Sequence, residues 1–237
     1  PALADAPDTA LFHPIIRLAY GLDAGHEGQV AAGLLDWERR REVLPLPEPR
    51  PGDRGLTDVA GALAAHPAGT WPRTFDLAGT SRRPELAAAL DGFDPERVTV
   101  DDLAAFALHA HVTADDFITL HLVTGARAIH RVSGLLEPEV ATRLAAETAR
   151  TMAVAYAVVG APPLLPEADL EALRQLPLPS VAEVEAAAIA DRDPHVIKLA
   201  NVALVEEQRT GDRLYRYVAA RVVGLAPAVA AALAGRG

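Results

Sequence analysis

The chain contains no cysteine, which excludes a disulfide framework, a thiolate metal site and a cysteine nucleophile. Any metal here must be held by histidine, carboxylate or a less usual ligand. Serine is scarce and no Gly-x-Ser-x-Gly elbow occurs, so triad chemistry has little to stand on. Gly-rich phosphate loops of the two common types are missing, as are His-Glu-x-x-His and Glu-x-x-His pairs of the zincin or di-iron carboxylate kind. No apolar run reaches the length of a membrane span, because charges or prolines interrupt every stretch. A net charge of −10 argues against nucleic acid and anionic membrane as partners. The start, Pro1-Ala2-Leu3-Ala4-Asp5, has neither an initiator Met nor a signal-peptide pattern. It reads as the middle of a longer chain or as a processed end, with a soluble cytoplasmic protein expected.

Lysine is nearly absent too. Of 22 basic residues, all but Lys198 are arginine, a bias that fits a GC-rich coding sequence, since Ala and Pro are also abundant. A lysine that survives such a bias is a candidate for work that arginine cannot do. Arginine stays protonated, whereas a buried lysine can lose its proton and become a nucleophile, a base or a ligand precursor. Lys198 stands in Asp193-Pro194-His195-Val196-Ile197-Lys198-Leu199-Ala200, an apolar setting that favours the neutral amine. On a helix, His195 and Lys198 share a face. The bland alternative is a snorkelling surface lysine.

What remains is helical. Ala, Leu and Val recur at three- and four-residue spacing, and alternating β-branched runs are few. The spacing predicts helices over about 10–23, 26–41, 56–65, 83–90, 100–110, 114–132, 137–159, 166–175, 180–190, from 194 to Gly211, 212–223 and 226–234. Thr99 with Asp102, and Thr113 with Asp116, give Thr-x-x-acid signals of a helix start. Asp193-Pro194 supplies an N-cap followed by Pro at the first helical position. Pro45, Pro47, Pro49 and Pro51 predict an extended stretch able to cross the surface or cover a cleft, and Trp71-Pro72 a loop. The expected architecture is all-α, a single domain over residues 1–237 with helices packed as a bundle-like array.

Eight histidines carry the remaining chemistry. His13, His121 and His195 lie in apolar segments on three separate predicted helices, so each imidazole needs a hydrogen-bond or metal partner. A lone buried histidine is more often a satisfied core residue than a ligand; three on one helical array point towards a shared pocket. His26 and His66 read as loop or helix-end residues. His109 and His111 diverge by about 200° on one helix, and His130 lies about half a helical circumference from His121, so these serve other faces.

Four segments resemble the questin oxidase-like family of secondary-metabolism oxygenases. They are Leu11-Phe12-His13-Pro14-Ile15-Ile16-Arg17-Leu18-Ala19-Tyr20-Gly21, Thr119-Leu120-His121-Leu122-Val123-Thr124-Gly125-Ala126, Asp193-Pro194-His195-Val196-Ile197-Lys198-Leu199, and the Gly211-Asp212 turn with the helix after it. The resemblance spans most of the chain through short motifs. It implies an all-α fold and a non-haem Fe(II) held by histidines with a lysine that CO₂ can carboxylate, here His13, His121, His195 and Lys198. It also implies O₂ as co-substrate, NADPH as electron source and an aromatic polyketide, anthraquinone-like, whose ring is cleaved in a Baeyer–Villiger-like step. Tyr20 and Arg17, two turns and one turn on from His13, become candidates for contacting a phenolate or carbonyl. No dinucleotide fingerprint accompanies them, and the Asn-His-type motif that family members carry near the N-terminus has no counterpart before Leu11. Two further readings stay open: a non-catalytic helical binding or scaffold protein that has lost the metal, and a metal-dependent hydrolase in which carboxylated Lys198 bridges two metals.

Overall fold

The structure, a computed structural model, describes residues 2–47, 50, 52–71 and 73–234. The fold is all-α: the described residues hold no strand, only an isolated parallel bridge between Arg54 and Phe93. None of the helices among them is long and apolar enough to cross a membrane. Contacts divide the chain into two compact units, Pro1–Leu164 and Leu165–Gly237.

In the first unit the helices are α1 (His13–Asp23), α2 (Glu27–Arg40), α3 (Leu56–Ala64), α4 (Leu77–Ser81), α5 (Pro84–Leu90), α6 (Val100–Ala114), α7 (Phe117–Ser133) and α8 (Pro138–Val158), with 3₁₀ turns at Ala2–Asp5 and Pro95–Arg97. The core is organised by α8. From Leu144 to Val158 every residue but Glu147 is buried, the signature of a helix packed on all sides. Its many alanines let α3, α4, α6 and α7 all pack against it. The Tyr156 ring meets Phe106 of α6 edge-on, centroids 5.8 Å apart, and its hydroxyl donates to the Pro162 carbonyl. Each fully buried Leu, Ile or Phe in this core contributes about 1.5–3 kcal/mol through area removed from water.

Helix α1, which begins at His13, packs between α2 and α7. Gly33 makes the α2 contact possible: a Cβ there would lie 2.8 Å from the Leu18 amide nitrogen and 3.0 Å from the Pro14 carbonyl oxygen. At its far end, Asp23 accepts from Arg131 of α7 at 2.6 Å and lies 3.6 Å from Arg127.

The Thr99–Asp102 capping box forms as expected, with the Asp102 amide donating to Thr99 Oγ1 and Asp102 Oδ2 accepting from the Thr99 amide. The second expected start is corrected. Thr113 lies inside α6, which runs on to Ala114; Asp115 then turns left-handed at φ 47°, and Asp116 itself caps α7 by accepting from the Ile118 amide at 2.8 Å. An Asp two residues before an amide serves as well as a Thr three before it, and the local pattern does not choose between them. The proline stretch is irregular over residues 41–47, where the Pro47 carbonyl accepts from Arg150 of α8 at 2.9 Å. Pro49, Pro51 and Pro72 lie outside the described residues.

The second unit comprises α9 (Glu167–Arg174), α10 (Val181–Ala190), α11 (Pro194–Thr210), α12 (Arg213–Val222) and α13 (Val229–Ala234). A hairpin of α11 and α12 forms its centre. Gly211 ends α11 at φ 74°, a left-handed residue that glycine adopts without a Cβ clash. Asp212 then caps α12 and also receives the Arg174 guanidinium of α9, Nε to Oδ1 at 2.9 Å.

Candidate metal centre

His13 is the first residue of α1, and the backbone that delivers it is strained. Ala10, Leu11 and Phe12 have φ of 49°, 56° and 63°, a left-handed run that costs L-residues roughly 1–2 kcal/mol each. No residue type there favours it, since none is glycine, asparagine or aspartate. Two local hydrogen bonds do support it: the Phe12 amide donates to the Asp8 carbonyl at 3.2 Å and the His13 amide to the Ala10 carbonyl at 3.3 Å. Tertiary contacts hold it: Leu11 is buried, and Phe12 is fully buried beside Gly125 of α7. The turn brings the Ala10 carbonyl under the imidazole, which donates Nδ1–H to it at 2.6 Å. A carbonyl only accepts, so Nδ1 carries the proton of this contact, and in the neutral ring the lone pair is then on Nε2.

His121 arrives from α7 by ordinary helical geometry. It is buried, and its Nδ1–H donates to the Phe117 carbonyl four residues back at 2.8 Å, so its lone pair is also on Nε2. The two rings stand with centroids 4.8 Å apart and planes at 54°, and a ring nitrogen of each lies within 4.8 Å of the other. A small ring movement suffices to put both on one ion at about 2.1 Å. The exposed Phe117 ring meets His121 edge-on, centroids 4.5 Å apart.

In the second unit, Asp193 caps α11 by accepting the His195 amide at 2.8 Å, and the same Oδ1 faces His195 Nδ1 at 3.1 Å. The His195 amide is the main cause that holds the Asp193 carboxyl below its usual range; the His195 ring and the charges of His195 and Lys198 add to it. When the ring is neutral with Nδ1–H towards the carboxylate, Nε2 is its lone-pair nitrogen. Lys198 follows three residues on, half-buried, on the same helical face.

All three histidines therefore turn Nδ1 to an oxygen atom, which leaves Nε2 as the ring nitrogen able to ligate a metal when the ring is neutral. Such an oxygen partner fixes ring orientation and raises basicity, the arrangement that metal-binding histidines use. The structure brings His13 and His121 together in one unit, and His195 and Lys198 onto one helix face in the other.

The remaining histidines do other work. His26 caps α2, with Nδ1 accepting from the Gln29 amide at 3.3 Å. His66 packs edge-on against Trp71, His111 is buried with Nδ1 3.1 Å from Thr119 Oγ1, and His130 Nδ1 lies 3.5 Å from Arg127. His109 is half-buried on α6 and lines a cleft of about 440 Å³ with Arg54, Asp58 and Asp102. A second cleft, about 800 Å³, is lined by Glu139, Arg143, Glu147 and Arg150 among others. Both have charged walls and neither includes His13 or His121, so neither is the apolar substrate cavity that an aromatic ligand requires. Arg17 is exposed and donates Nε to Gln29 of α2 at 2.9 Å, while Tyr20 is half-buried.

Sequence reasoning missed three contributors. Asp193 is legible as a cap, but its second service to the His195 ring follows only from the side-chain geometry. Phe117 is apolar and so reads as core. The Phe12–Gly125 contact joins two motifs that carry no sign of their pairing.

Compared with models of known protein families, with curated proteins and with solved structures, the chain matches none.

Proposed function

We propose that this chain is a non-haem iron oxygenase acting on an aromatic polyketide, with His13, His121, His195 and a carboxylated Lys198 as the iron ligands. The observation that carries the reading is a shared arrangement: His13 and His121 in the first unit, and His195 in the second, each hold Nδ1 against an oxygen, which in the neutral ring leaves Nε2 as the ligating nitrogen. Neutral imidazoles plus one anionic oxygen make a donor set suited to a mid-series metal. The chain's single lysine, one helical turn from His195, is the residue able to supply that oxygen as a carbamate. When bound, ferrous iron would supply the one-electron chemistry that lets triplet O₂ react with a closed-shell aromatic.

The chain's own residues do the rest. The Ala10 and Phe117 carbonyls orient the two rings of the first unit and the Asp193 carboxylate orients His195 in the second, which reduces the side-chain ordering left to the binding step. Arg17, on the same face of α1 as His13, offers a guanidinium to a phenolate or ring carbonyl; its contact with Gln29 positions it. Tyr20, one turn further, offers a hydroxyl. Oxygen insertion beside a ring carbonyl places one atom of O₂ in the product and the other in water, with two electrons from NADPH. The hydrolase alternative needs acidic ligands, and the carboxylate beside His195 is already engaged with its amide and Nδ1.

The test is oxygen uptake by protein loaded with Fe(II), assayed with a panel of hydroxyanthraquinones with and without NADPH. The proposal expects substrate-dependent uptake and a product that carries one oxygen from ¹⁸O₂. Iron-loaded protein that consumes no oxygen with any aromatic substrate, and binds them all the same, supports the non-catalytic binding protein instead.

A further inference from the structure

Gly125 sits one helical turn after His121 in the middle of α7, where glycine is a poor choice for a helix interior. A Cβ at this position would lie 2.8 Å from Phe12 Cγ and 3.1 Å from both Cδ atoms. Those are the root atoms of a ring that is fully buried, so it has no open space to swing into. Phe12 is also the left-handed cap of α1, immediately before His13. One apolar contact thus spans the two helices that carry the two adjacent imidazoles, a single residue from one and a single turn from the other.

We propose that the Phe12 ring seated on Gly125 is the pin that sets His13 against His121, making Phe12 and Gly125 positioning residues of the metal centre. The ring holds the left-handed turn Ala10–Phe12 in place, and that turn puts the Ala10 carbonyl under His13 Nδ1. Lifting Phe12 off α7 lets the turn relax towards ordinary negative φ, and the carbonyl leaves the imidazole. His121 is unaffected, because its own anchor, the Phe117 carbonyl, lies within α7. The inference rests on the proposed metal centre for its consequence, and on the pin alone for its geometry.

The experiment uses Gly125→Ala with two readouts. The first needs no metal: the tautomers of His13 and His121, read from ¹⁵N ring shifts at a pH of about 8, where imidazole is neutral. In the wild type both should be Nδ1–H; in Gly125→Ala, His13 should shift to the Nε2–H form while His121 stays. The second is Co(II) affinity and its d–d absorption, expected to weaken by about ten- to a hundredfold, the usual loss when an oxygen partner of a ligating histidine is removed, with the band shape altered. Should Gly125→Ala fail to fold, Phe12→Leu keeps the apolar bulk and loosens the pin, with the same changes expected at smaller size. Unchanged His13 tautomer and Co(II) binding in a folded variant overturn the pin. A wild type that takes up no Co(II), together with a His13 tautomer that still shifts in Gly125→Ala, supports the pin and overturns the metal centre.

Discussion

His13 and His121 come from different helices, yet their rings stand 4.8 Å apart and each holds Nδ1 on a backbone carbonyl three or four residues before it. Two independent backbone segments thus orient two neighbouring imidazoles, a ring nitrogen of each within 4.8 Å of the other. Removing either ring should cost binding more than folding. His121→Ala leaves a small buried gap and should lower stability by about 1–3 kcal/mol, while Fe(II) affinity falls by more than about a hundredfold. Thermal melts and anaerobic Fe(II) titrations of the same preparation separate the two effects.

Lys198→Arg should abolish metal retention and leave the fold intact. The guanidinium keeps its proton, cannot add CO₂, and puts a fixed charge beside a cation. At ~4 Å and an effective dielectric of about 20, two like unit charges repel by roughly 4 kcal/mol, and a divalent ion doubles that. Even the smaller figure corresponds to about a thousandfold in affinity. Bicarbonate should raise wild-type metal loading and do nothing for the variant. A snorkelling lysine predicts the reverse: an arginine variant that loads normally.

Much of this was legible in the chain itself. The three- and four-residue apolar period finds α8, and Thr99–Asp102 marks the start of α6, because both signals are local. The spacing places the start of α7 near 114, whereas the helix begins at Phe117, because α6 continues through Thr113 and stops only at the left-handed Asp115. His13, His121 and His195 stand out by their apolar surroundings. Their anchors do not: no residue type in Ala10-Leu11-Phe12 announces three positive φ angles in succession. Gly125 is equally silent, since a glycine needed for close approach looks like any other until the ring above it is known.

Asp8 should give the fold a pH dependence. Burial is the main cause that raises its carboxyl to about 6; the nearby Glu42 and Glu147 add to this, and hydrogen bonds from its own backbone and Thr151 oppose it. A carboxyl with a raised folded pKa binds its proton more tightly when folded, so stability is greatest below the unfolded value near 4 and falls as pH rises from about 4 through about 6. The loss is on the order of 1–3 kcal/mol. Asp8→Asn should flatten stability across this window and be more stable than wild type at pH about 7.5, as read by denaturant melts at several pH values. A wild type whose stability rises through that window contradicts it.

The metal content of the protein tests the account most directly. After anaerobic reconstitution with Fe(II) and bicarbonate, followed by desalting, elemental analysis should find one iron per chain in the wild type. It should find almost none in the His13→Ala/His121→Ala double variant with its circular dichroism unchanged. A wild type that retains no more iron than the double variant would contradict a metal centre built on these histidines.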